Sequence, residues 1–155
     1  MSLRHLEFLT QRARPSAEEI SLFERRWELR APSSLRQFWL TYGGGVPDAS
    51  NEFYPVPLSF EKFHQEYGSE GIGVAWFLGI TEELSVDTMM RTLSNSDQLE
   101  RERLLFAGDG CGNYLMVATD RKSNNTVFFW DHAMGEFAIA HTFDDFLNAL
   151  TSYPF

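Results

Sequence analysis

The sequence contains a single cysteine, Cys111. No intramolecular disulfide can form, which suits a reducing, cytoplasmic compartment. It has no apolar run of about 18 residues, so a transmembrane helix is not expected. Met1 to Pro15 lacks a continuous apolar stretch, so neither is a secretory leader. Cations are scarce: 13 Lys+Arg stand against 22 Asp+Glu, a net charge of −9. A field of that sign repels nucleic acid and anionic membranes and draws in cationic partners.

Signatures of chemistry are missing as well. There is no H-E-x-x-H and no pair of cysteines, so a zinc site has no sequence support. G-x-S-x-G is absent, and Gly68-Ser69-Glu70-Gly71 has the wrong spacing for a nucleophile elbow. The glycines between Gly108 and Asn113 precede a strand, whereas a dinucleotide fingerprint precedes a helix. Asp109 within them would repel a phosphate, so a hairpin turn explains them better. His5, His64, His132 and His141 read as ordinary hydrogen-bonding histidines. Cys111 has no sequence signature pairing it with a base. No catalytic, cofactor-binding or metal-ligating residues are expected.

The chain does have apolar and aromatic residues in quantity, 43% and 15% of its 155 residues. That length and composition predict one domain over residues 1–155, with a core large enough to fold without disulfides or metal. Leu3, Leu6 and Leu9 suggest a short N-terminal amphipathic helix. Ser16 and Glu19 form a capping box ahead of Ile20, Phe23 and Trp27. Ser33 or Ser34 caps a second helix with Leu35, Phe38, Trp39 and Tyr42 on one face. Gly43-Gly44-Gly45 ends it. Asn51 to Pro57 reads as an edge strand or loop, Ser59 to Tyr67 as a short helix, and Gly71 to Ile80 as a strand. Val86, Met89, Met90 and Leu93 make another helical stripe, and Asn95 to Arg103 a polar loop. Leu104–Ala107, Tyr114–Thr119, Val127–Asp131 and Phe137–Ala140 read as four strands of a meander. Thr142 caps a final helix carrying Phe143, Phe146, Leu147 and Leu150. Phe128-Phe129-Trp130 puts rings on both faces of its strand, one in the core and one open to a partner. Trp27, Trp39 and Trp76 read as core.

Four segments together resemble the SMI1/KNR4 (SUKH) superfamily. They are Glu19-Ile20-Ser21-Leu22-Phe23-Glu24; Ala31-Pro32 through Phe38-Trp39 to Gly43-Gly44; Leu105-Phe106-Ala107-Gly108-Asp109-Gly110-Cys111-Gly112-Asn113; and Val127 to His132 with Ile139 to Leu147. Ala31 and Tyr42 depart from the family pattern. The resemblance covers residues 16–150. It implies an α+β fold, a twisted antiparallel sheet with N-terminal helices and a C-terminal helix packed on it. It also implies a non-catalytic protein. Bacterial members are chiefly immunity proteins that neutralise a cognate toxin, often a nuclease; fungal members are scaffolds.

Charge is uneven along the chain: residues 1–40 carry +2, residues 41–100 carry −8 and residues 101–155 carry −3. An inhibitor this acidic can be steered onto the basic groove of a nuclease. The expected partner is a basic toxin. The expected contact residues are Glu52, Glu61, Glu66, Glu70, Glu82, Glu83 and Asp87, with Tyr54 and Trp76 as aromatic anchors. Two other classes stay open: a regulatory or scaffold module without a toxin, and a hydrolase using Cys111 or a carboxylate cluster. Oligomeric state is not legible.

Overall fold

The computed structural model describes residues 5–81, 86–95, 102–120 and 125–154. Its main sheet has seven antiparallel strands. Strand β1 (Phe8–Gln11) pairs with β2 (Gly45–Pro47), which pairs with β5 (Trp76–Phe77). The order continues through β6 (Arg103–Gly108), β7 (Tyr114–Ala118), β8 (Val127–Asp131) and β9 (Gly135–Ala140). The last four form the expected meander. Strands β3 (Phe53–Pro55) and β4 (Gly71–Gly73) pair separately as a two-stranded sheet. With the helices, this is an α+β fold.

Helix α1 (Ala17–Trp27) starts with the expected capping box. Ser16 Oγ accepts from the Glu19 N–H at 3.1 Å, and Glu19 accepts from the Ser16 N–H at 3.0 Å. Glu28 ends the helix in the left-handed region, at φ 53°. Helix α2 (Ser33–Tyr42) buries Leu35, Phe38, Trp39 and Tyr42. Pro32 precedes its first turn and no side chain caps it, a correction to the Ser33 or Ser34 cap. Proline suits that place because its fixed φ is close to helical and its missing N–H would be unpaired there. Glu24 ties the two helices together: it accepts from the Ala31 N–H at 2.8 Å and pairs with Arg36 at 3.5 Å. Helix α3 spans Val86–Asn95. In α4 (Phe143–Asn148), Thr142 Oγ1 accepts from the Asp145 N–H at 3.1 Å, as expected of a cap.

Three other expectations change. Residues 8–11 are an edge strand, not part of a helix. Phe8 turns inward onto Tyr42 and Phe77, while Leu9 is 68% exposed. Gly71 to Ile80 splits into β4 and β5, which belong to different sheets. The segment after Ser59 closes as a π-helical turn, Phe63–Tyr67. Of the expected loop at 95–103, residues 96–101 lie outside the described residues.

Sheet register explains where the core sits. Phe77, Ala107, Leu115, Phe129 and Phe137 are successive cross-strand partners on β5 to β9. Direct partners point to one side of a sheet, and all five are buried. The aromatic contacts of that row reach α2, α4 and the π-helical turn, through Phe38, Phe146 and Phe63 respectively.

Candidate functional site

One position further along, the same strands carry a row of the opposite fate. Trp76 pairs with Gly108, Gly108 with Tyr114, Tyr114 with Trp130, and Trp130 with Glu136. This row faces away from the buried one, and its three rings are only partly buried. Tyr114 and Trp130 stack at 6.0 Å with planes 24° apart. Trp76 lies across Gly108, where a Cβ would meet its ring at 3.0 Å. Phe128, two residues before Trp130, is covered by the Arg103 guanidinium at 4.3 Å. Arg103 in turn binds Glu136 through two nitrogens, at 2.9 and 3.1 Å.

The turn from β6 to β7 closes this end of the sheet. Gly110 and Gly112 have φ of 85° and 87°, conformations that disfavour side chains. Asp109 organises the turn. Its Oδ1 accepts from the Cys111 N–H at 2.8 Å and the Asn113 N–H at 3.2 Å. Its Oδ2 accepts from Asn113 Nδ2 at 2.8 Å. That bond orients the Asn113 amide, so its Oδ1 accepts from His132 Nδ1–H at 2.8 Å and from the His132 N–H at 3.1 Å. The β6–β7 turn is thereby tied to the β8–β9 turn. There Asp131 Oδ1 accepts from the Ala133 and Met134 N–H groups, at 2.8 and 2.9 Å.

The charge of Asp109 reaches three tyrosines from separate elements. Tyr67 comes from the π-helical turn, Tyr114 from β7 and Tyr153 from the C-terminal tail. Burial raises the pKa of each phenol, and the charge of Asp109 raises all three further. Tyr67 also feels the charge of Asp131, and Tyr153 that of Glu52. The tail is held by a two-way backbone bridge, Phe53 N–H to Thr151 O at 2.9 Å and Thr151 N–H to Phe53 O at 2.8 Å. It places the Tyr153 hydroxyl over Gly73, in space that any Cβ there would fill.

Among the described residues, no three His, Cys, Asp or Glu side chains group as a metal site. Cys111 is exposed on its turn. No described helix is long and apolar enough to cross a membrane. Rings set among fixed carboxylates suit recognition of another surface.

A family model described as SMI1 / KNR4 family (SUKH-1) matches residues 14–149. The chain belongs to this family. The assignment takes in α1, the meander and α4, the segments on which the resemblance rests. The SMI1/KNR4 (SUKH-1) family consists in general of non-catalytic, immunity-type proteins that act on a protein partner. A search of the curated proteins found no match.

The expected contact residues fall in different places on this family fold. Glu52 and Trp76 approach the Asp109 turn, Glu52 through Tyr153 and Trp76 through Gly108 and Gly110. Glu61 and Glu66 are exposed on the helical segment that carries Tyr67, and Glu70 is exposed just after it. Glu70 also lines a shallow groove of about 430 Å³ with Val56, Leu58 and His64, where Leu58 is 82% exposed. Asp87 lies on α3, and Glu82 and Glu83 lie outside the described residues. Tyr54 is corrected: it is 1% exposed and cannot anchor a partner. Its hydroxyl donates to Ile139 O at 2.6 Å and its ring packs on Phe146 at 4.8 Å. Trp39 is in the core as expected, whereas Trp27 and Trp76 are only partly buried.

Sequence reasoning missed Tyr114 and Trp130 as members of one row, and Asp109 as the residue that organises the turn beside it. The consecutive rings at 128–130 were the available signal, because alternation sends Phe128 and Trp130 to the face opposite Phe129.

Proposed function

We propose that this chain is a non-catalytic immunity protein that neutralises a cognate basic toxin by covering its working surface. The observation that carries this reading is the charge of the sheet end. The turns at that end carry Asp109 and Asp131, and Glu66 and Glu70 stand exposed on the neighbouring segment, while Asp120 and Glu136 are paired with Arg103. Trp76, Tyr114 and Trp130 share the open row of the sheet, whereas Tyr67 packs on Phe129 and Phe137 of the covered face. Aromatic anchors supply much of the energy in protein interfaces, and complementary charge supplies rate and specificity. A toxin that handles nucleic acid needs a basic groove. An acidic end lined with rings is complementary to such a groove and competes with its substrate.

Family membership supports the protein partner, and the charge supports its sign. The test is co-purification with the toxin-domain product encoded next to this chain's gene. The expected result is a stable complex that weakens at least ten-fold when Glu61, Glu66 and Glu70 are changed together to Lys. A folded chain that forms no complex overturns the pairing and turns the assignment toward a scaffold module.

A further inference from the structure

We infer that the in-register row Trp76, Tyr114 and Trp130 is a cradle for an arginine side chain presented by the partner. The inference rests on the binding role proposed above and names the chemistry at its centre. Each ring projects from a different strand, yet the three share one row through Gly108. Without a Cβ, Gly108 leaves room for the Trp76 ring to lie over β6 between its own strand and Tyr114's. Tyr114 and Trp130 then present a stacked, partly exposed pair.

Charge decides the occupant. Asp109 follows Gly108, the cross-strand partner of Tyr114, and its charge adds to burial in raising that phenol's pKa. No Lys or Arg occurs between residues 104 and 120 or between 125 and 136. Arg103, which begins β6, is held by Glu136 and Asp120 and lies over Phe128. That contact is the same chemistry within the chain: a guanidinium flat on a ring with a carboxylate beside it. A planar cation stacks on aromatic faces and pairs with carboxylates better than an ammonium does. A second copy of this chain would bring a further −9 to the row, which opposes self-association through it.

The experiment needs no toxin. The probe is an acetylated, amidated Gly-Arg-Gly-Arg-Gly peptide titrated into the full chain, with the indole N–H signals followed by NMR. A citrulline peptide of the same shape but without charge is the control. The expected result is saturable shifts at Trp76 and Trp130, with Trp27 and Trp39 unmoved. Trp39 serves as internal reference because its indole N–H already donates to Leu78 O at 3.3 Å. Citrulline should abolish the shifts, and Trp130→Ala should weaken binding about three-fold. Equal shifts at all four tryptophans, equal shifts with citrulline, or none at all would overturn the cradle. Concentration-dependent shifts without peptide would overturn it in favour of a second copy. Failure of the toxin complex with these shifts intact overturns the immunity reading alone.

Discussion

A methyl group added at Gly108 would meet the Trp76 ring at 3.0 Å, so the indole must move to admit it. Gly108→Val should therefore lift Trp76 off the row at a cost of roughly 1–3 kcal/mol. Chemical denaturation and a red shift in tryptophan emission would report it. Gly45 is less forgiving. Its φ is 130°, and a Cβ there would strike Thr10 O, a backbone atom of β1 that cannot swing aside. The phenols make a prediction about pH. Tyr54, Tyr67, Tyr114 and Tyr153 all have folded pKa values above the ordinary value near 10, chiefly through burial. In the unfolded chain they lose their protons first. Their contribution is fully present below about pH 10 and is lost as pH rises through the folded values. Denaturation midpoints should stay level on this account from neutral pH to about 9.5 and fall above it. Asp109→Asn should bring Tyr67, Tyr114 and Tyr153 toward earlier ionisation in an ultraviolet titration, with Tyr54 unchanged.

The helices show what short-range chemistry can specify. Ser16 with Glu19, and Thr142 with Asp145, cap their helices as their spacing requires. Ser16→Ala should cost about 1 kcal/mol. Phe146→Ala should cost about 3–5 kcal/mol, because that ring is buried among Tyr54, Phe77, Phe106 and Phe143. Thermal melts of the two variants would separate a lost cap from a lost core ring. Strands were legible where turns bound them, as in the meander. They were not legible where the partner is distant. β1 finds its partner at Gly45–Pro47, so the three-residue spacing of Leu3, Leu6 and Leu9 suggests a helix that long-range pairing overrides. Gly71–Ile80 reads as one apolar run, yet a change of sheet divides it after Gly73. The site was legible only in part for the same reason. Acids and rings can be counted along the chain, but Trp76, Tyr114 and Trp130 join only through register. Tyr54 misled because nothing local marks which ring of an extended segment turns inward.

At the scale of the molecule, net charge governs encounter. A chain at −9 meeting a basic partner should associate quickly at low salt. Raising salt from about 0.01 M to about 1 M should slow association about ten-fold or more while changing dissociation much less. Stopped-flow association rates would show it; rates insensitive to salt would argue against electrostatic steering. The fold suits such a role. Helices α2 and α4 and the π-helical turn cover one face of the sheet, and the joined turns at 109–113 and 131–135 fix Asp109 and Asp131 before a partner arrives. A preorganised surface avoids part of the ordering cost of binding. The most direct measurement is growth of cells that express the neighbouring toxin domain together with this chain. The account predicts full rescue by the natural sequence and loss of rescue when Glu61, Glu66 and Glu70 become Lys in a chain that still folds. Growth arrest in the presence of the folded natural chain would contradict it.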